Sequence, residues 1–135
     1  MVIIKETINV DTLQTMQMLD ITDRVKQFVK DKNILEGQIT LFVPHTTAGI
    51  TLNENTDPDV KTDMVKGLNE SLPDRNFFKH YEGNSQAHIL SSVIGTSLTL
   101  LISEGEIVLG TWQGIFFCEF DGPRKRKLHI QGFKM

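Results

Sequence analysis

Residues 96–102, 107–109, 111–120 and 127–133 are short runs rich in β-branched and apolar side chains, set apart by glycine turns. Three more runs of this kind precede them. Residues 2–10 alternate loosely, and in residues 37–44 Ile39, Leu41 and Val43 point one way, with a further short strand over residues 48–52. Strand runs therefore outnumber helical ones. The pattern predicts an α+β class of mostly antiparallel, sandwich-like sheets with two or three helices.

The helices are read from caps and spacing. Ile21, Val25, Phe28 and Val29 follow helical periodicity after the possible caps Asp20 and Thr22, which predicts an amphipathic helix to about Asn33. Asp57-Pro58 starts a second, with Asp57 as cap and Pro58 at the first position. Val60, Met64 and Leu68 then lie one turn apart and carry it to about Asn69. Residues 71–84 form a loop long enough to suggest function. Asn84 or Ser85 caps a third helix whose core face holds Ala87, Leu90 and Ile94, while His88, Ser91 and Ser92 share another face.

With no linker, repeat or low-complexity tract, the 135 residues read as a single domain. The formal charge of −3 argues against a whole-surface interface with nucleic acid, which needs a basic excess. Any basic function is local: Arg124, Lys125, Arg126, Lys127 and Lys134 stand against Asp121 alone near the C-terminus. Cys118 is the sole cysteine, and Phe116-Phe117-Cys118 resembles a buried strand rather than a reactive thiol. The N-terminus lacks a signal-peptide pattern, and no apolar run approaches the roughly 20 residues of a membrane span. A soluble cytoplasmic protein is expected, without nucleic-acid or membrane partners.

Three of the four histidines, His45, His80 and His88, fall in or beside predicted loops. Imidazole is both the common zinc ligand and the common acid or base near neutral pH. Glu54, Asp57, Asp59, Glu82, Glu119 and Asp121 also lie near element ends. Plainer roles fit several of these residues. Asp57 is explained as a cap, His129 as a surface or half-buried strand residue, Glu82-Gly83-Asn84 as a turn, and Trp112 as core. Phosphate-loop, dinucleotide-turn, zinc-helix and nucleophile-elbow motifs are absent. His80-x-Glu82 matches half of a zinc-deaminase motif whose paired cysteines the chain lacks.

Five segments taken together carry a resemblance. They are Pro44-His45-Thr46-Thr47-Ala48; Asn53-Glu54-Asn55 with Asp57 and Asp59; His80-Tyr81-Glu82-Gly83-Asn84 with Ala87-His88; Gly110-Thr111-Trp112-Gln113; and Glu119-Phe120-Asp121-Gly122-Pro123-Arg124. In this order, across nearly the whole chain, they resemble the YjbQ-like family, of which Gly-Thr-Trp-Gln is the most distinctive element. The resemblance implies an α+β homotrimer whose polar motifs gather in a cleft at or near subunit contacts. It also implies a weak thiamine-phosphate synthase activity. Carried over on matching positions, catalytic roles fall to His45, Glu54, His80, His88 and Glu119, and substrate contacts to Thr46, Thr47, Asn53, Asn84, Gln113 and Arg124. Asp59 and Glu82 belong to the same set. Side-chain chemistry, apart from the resemblance, makes a divalent metal a candidate cofactor: His45, His80 and His88 suit zinc, and Glu54 or Glu119 suits magnesium.

Two functional classes follow, with a plainer third. The first is an enzyme acting on a small phosphorylated molecule, joining pyrimidine and thiazole precursors with loss of pyrophosphate. Its leaving charge calls for cations, and Arg124, Lys125 and Arg126 are candidates. The second is a non-enzymatic trimer that binds a metal or small anion. The third is an interaction scaffold whose polar residues satisfy subunit contacts.

Overall fold

The computed structural model describes all residues from Met1 to Met135. In chain order the elements are β1 (Val2–Asp11), β2 (Gln17–Asp20), α1 (Thr22–Asp31), β3 (Gly37–Phe42), β4 (Ala48–Glu54) and α2 (Pro58–Ser71). There follow α3 (Ser85–Ile94), β5 (Ser97–Ser103), β6 (Glu106–Ile107), β7 (Gln113–Glu119) and β8 (Lys125–Lys134). Every strand pairing is antiparallel. Five strands form one sheet in the order β1-β8-β3-β5-β6, and three form a second in the order β2-β7-β4. The expected α+β class, with three helices and antiparallel sheets, is the one observed.

The two sheets share a core. Ile39, Leu41, Leu100, Ile102, Leu128 and Ile130 from the larger sheet meet Ala48, Ile50, Ile115 and Phe117 from the smaller. α1 adds Val25, Phe28 and Val29. The opposite face of the small sheet presents Met18, Phe116, Cys118 and Phe120 to α3, with Met64, Val65 and Leu68 of α2 at the margin. β7 is thus covered on both faces, so its sequence is a continuous apolar run, whereas β8 alternates buried with exposed.

Local chemistry explains most boundaries. The Asp57 side chain accepts from the Asp59 amide at the start of α2, as a cap should. At α1 the cap is displaced by one residue: Ile21 holds the N-cap position, and Asp20 Oδ1 instead accepts from the Thr22 amide and hydroxyl. Two sequence expectations need correction. β2 carries no strand signal in the sequence, because Gln-Met-Leu-Asp has neither β-branched residues nor alternation, and its pairing with β7 makes it a strand. Trp112 is not core. It is 60% exposed in the turn before β7, where Gln113 Oε1 accepts from the Gly110 amide and tightens the turn.

β4 and the C-terminus of α3 come unusually close. A Cβ on Gly49 would lie 2.7 Å from the Gly95 carbonyl oxygen, and that same carbonyl accepts from the Ile50 amide. Glycine at position 49 therefore sets the distance between the strand and the helix that carries His88.

Candidate functional site

The end of β3 and the exposed side of α3 face one another across a polar cleft of about 440 Å³. His45 and Thr46 line it from the segment after β3; His88, Ser91 and Ser92 from α3; Gly95 and Thr96 from the turn into β5. None of these side chains is hydrophobic. The shared face expected for His88, Ser91 and Ser92 is thus the face that lines the cleft, as positions three and four apart on a helix dictate.

A buried ion pair holds Thr47, next in the chain to the cleft residues His45 and Thr46. Glu119, at the end of β7, is 0% exposed, and Arg126, near the start of β8, is 5% exposed. Arg126 Nε donates to Glu119 Oε1 at 2.8 Å, and its Nη2 donates both to Glu119 Oε2 and to Thr47 Oγ1 at 2.8 Å. Glu119 also accepts from the Thr12 hydroxyl at 2.6 Å and from the amides of Phe120 and Asp121. With its acceptor sites taken up in this way, Glu119 anchors Arg126 and, through it, Thr47, the chain neighbour of the cleft residues His45 and Thr46. Thr47 is buried in the same network.

This network titrates. Burial pushes the Glu119 carboxyl up, but hydrogen bonds from Arg126, Thr12 and Asp121 outweigh it and hold the group below the usual glutamate value. A carboxyl depressed in the folded state contributes stability that is present above its unfolded pKa and is lost as pH falls through the folded value. The thermal midpoint is therefore expected to drop on acidification from pH 5 to pH 3, and to drop less steeply in Glu119→Gln. A midpoint equally pH-dependent in both proteins would contradict this.

His45 is half-buried. Its Nε2 accepts from the Lys127 backbone amide at 2.9 Å. Burial, and then the Arg126 guanidinium, lower its pKa against the opposing pull of Glu119. The ring of His80 lies 5.5 Å from that of His88, in an edge-on arrangement, and His80 Nε2 is 3.8 Å from Glu82 Oε1. Asn84 Nδ2 donates to Asp121 Oδ2 at 2.9 Å, and the buried Asn84 Oδ1 has no partner. Arg124 donates to the Asp121 carbonyl at 2.7 Å and to its carboxylate at 2.9 Å. His80 thus stands between His88 and Glu82, while Arg124 is held by Asp121.

The remaining expected residues lie elsewhere. Asn53, Glu54 and Gln113 sit at the opposite end of the β4-β7 pair, where Glu54 is in register with Gln113 while Ala48 is in register with Glu119. Six residue steps separate the two ends, about 20 Å at strand spacing. Glu54 lines a different, smaller depression with Asp20, Asp57 and Lys61, and Asp59 lies in the first turn of α2 beside it. Within one chain the expected residues therefore form two groups.

Two further expectations change. Arg126 is not available to grip a phosphate, because its guanidinium is spent on Glu119 and Thr47; Arg124 is half-exposed and Lys125 exposed. No three His, Cys, Asp or Glu side chains come together in the chain as a metal-holding group, so the residues of one chain do not fit the three-histidine metal site. Sequence reading does not single out Thr12 or Thr96, and it gives Arg126 the wrong role. Arg126 had a signal, since it shares the inward parity of Leu128 and Ile130 in β8, and a charge in that position needs a buried partner.

Comparison with known proteins gives a consistent picture. Residues 6–134 match the family model described as UPF0047 protein YjbQ-like. The UPF0047 protein YugU of Bacillus subtilis is 46% identical over 127 residues, covering 93% of this chain and 96% of that protein. A UPF0047 protein of Methanocaldococcus jannaschii is also 46% identical, over 90% of this chain and 88% of its own. The crystal structure of an uncharacterized conserved protein of Clostridium acetobutylicum superposes with a TM-score of 0.91 at 45% identity, covering 95% of this chain and 99% of that one. A protein of unknown function from Sulfolobus solfataricus superposes at 0.92 with 32% identity, covering 98% of each chain.

Proposed function

We propose that this chain, which belongs to the YjbQ-like UPF0047 family, binds a small phosphorylated molecule in the cleft between His45 and His88 and acts on it without a covalent link to the protein. The observation that carries this reading is the lining of the cleft. Imidazoles and hydroxyls with no apolar wall gain little from an apolar ligand and suit one rich in acceptor oxygens. Arg124, half-exposed and held in place by Asp121, adds a positive charge suited to the same ligand.

The absence of an activated nucleophile shapes the chemistry. Cys118 is buried, with its thiol pushed up to about 12, and the buried Ser91 hydroxyl donates to the Ala48 carbonyl at 2.6 Å. A direct displacement between two bound substrates needs neither group. In the thiamine-phosphate reaction, the bond from the methylene carbon to a pyrophosphate oxygen breaks as the thiazole nitrogen bonds to that carbon, and the leaving charge is met by hydrogen-bond donors. The same lack of a nucleophile favours the second reading, an anion-binding protein without catalysis. Purified protein given both precursors and magnesium is expected to form thiamine phosphate, and His88→Ala to form at least tenfold less. Equal product from the two proteins would remove the cleft from the reaction; phosphate binding with no product from either would leave the binding reading alone.

A homotrimeric assembly in the cytoplasm is part of this proposal. The outer face of the larger sheet supports it: Ile3, Phe133, Gln38 and Leu101 stand in register across four strands, four residues along each strand from the row of Thr7, His129, Phe42 and Ser97. Ile3, Phe42, Leu101 and Phe133 are all exposed, an apolar grouping that copies of the chain would cover. Ser97 and His129 line the groove on that face, and Ser97 adjoins Thr96 of the cleft, so a second copy seated there would reach the cleft. No helix is long and apolar enough to cross a membrane. Light scattering is expected to give the mass of a trimer, and a monomer mass would overturn this part.

A further inference from the structure

His45 is the cleft residue whose chemical state the fold fixes most tightly. β3 leaves the larger sheet after Phe42, which is in register with His129. Two residues back along β8, the Lys127 amide has no ladder partner from β3, and the His45 ring takes its place by accepting it at Nε2, 2.9 Å away. A backbone amide only donates. Nε2 must therefore present a lone pair, and the neutral ring carries its single proton on Nδ1. Nδ1 makes no hydrogen bond within the chain, and it is not sealed, because the only fully buried side-chain nitrogen or oxygen without a partner is Asn84 Oδ1. It opens from a ring that lines the cleft.

We infer that His45 is a neutral hydrogen-bond donor, offering Nδ1–H to an anionic oxygen of the ligand, and that it is neither a general base nor a metal ligand. This rests on the reading of the cleft as a phosphate site. The argument against a base is direct, since one ring nitrogen is protonated and the lone pair of the other is taken by Lys127. The argument against a metal is one of second contacts. An imidazole that binds a metal through one nitrogen carries a proton on the other and donates it to a neighbour. With metal at Nδ1, that proton would sit on Nε2 and face the Lys127 N–H, donor against donor. The three-histidine metal set expected from side-chain chemistry therefore loses His45, whatever His80 and His88 do.

The assignment also separates substitutions that would otherwise look alike. Asparagine places its amide nitrogen near the position of Nδ1 and keeps a donor there, whereas alanine keeps nothing. With inorganic phosphate as probe, His45→Ala is expected to lose about 10- to 100-fold in affinity, the worth of one hydrogen bond to a charged acceptor. His45→Asn is expected to keep most of the wild-type affinity.

The test is a ring-nitrogen NMR spectrum of the intact protein labelled with 15N-histidine, the His45 signals being assigned by their loss in His45→Asn. The expected spectrum shows Nδ1 protonated and Nε2 bare, a shift at Nδ1 on adding inorganic phosphate, and no change at His45 on adding zinc. A protonated Nε2, or a His45 signal moved by zinc, would overturn the donor assignment even if phosphate binds. No phosphate binding by the wild-type protein would overturn both the assignment and the cleft reading, and the ring spectrum tells these failures apart.

Discussion

Arg126→Met is expected to destabilise the protein by about 3–5 kcal/mol, measured by denaturant unfolding at neutral pH, because it leaves the Glu119 carboxylate buried without its counter-charge. The guanidinium also holds the Thr47 hydroxyl and carbonyl, so the segment from His45 to Thr47 loses its anchor at the same time. Glu119→Gln should cost less, since the amide keeps an acceptor oxygen for Thr12 or Arg126. The double variant with both substitutions should recover part of the Arg126→Met loss, because no buried charge is then left alone. A loss below about 1 kcal/mol for Arg126→Met is what an exposed pair gives, and it would mean that water reaches Glu119.

Phe117→Ala is the other large loss, about 3–5 kcal/mol by the same measurement. Phe117 is 0% exposed, lies on the central strand of the smaller sheet in register with Leu19 and Ile50, and belongs to the core between the sheets. Strands of both sheets and α1 contribute to that core, so collapse around the hole is limited. Trp112→Ala is the contrast. The indole is larger than a phenyl ring but 60% exposed, so its loss should stay within about 0.5 kcal/mol. Losses of similar size for the two would mean that the turn before β7 is covered, for instance by another copy of the chain.

These cases show which parts of the structure local sequence carries. β3 and β8 alternate because one face of the larger sheet is core and the other is open, and β7 runs apolar throughout because it is covered on both sides. Such periodicities are visible in a bare sequence, as are the Asp57-Pro58 helix start and the cleft-lining face of α3. β2 is not visible, since four residues without a pattern become a strand only when β7 lies beside them. Trp112 follows a related rule: its residue type argues for the core, but the turn closed by the hydrogen bond from the Gly110 amide to Gln113 precedes β7, which starts two residues later than expected, and the indole stays outside.

The candidate site divides along the same line. Each of His45, His80 and His88 was legible as a polar residue at an element end, and two of them do line one cleft. That Glu119 faces inward while Asn53, Glu54 and Gln113 lie at the other end of the same strand pair is decided by register, which no single residue announces. The basic segment misleads most. Arg124, Lys125 and Arg126 look alike in sequence, yet strand parity buries Arg126 against Glu119 and leaves Lys125 exposed.

The cleft as a phosphate site is the claim on which the functional reading depends, and mapping backbone-amide shifts while inorganic phosphate is added to the wild-type protein tests it most directly. The account predicts saturable shifts concentrated at His45, Thr46, His88, Ser92, Gly95 and Thr96, with Arg124 following. Shifts that fail to saturate, or that gather around Glu54 and Gln113 instead, would contradict it.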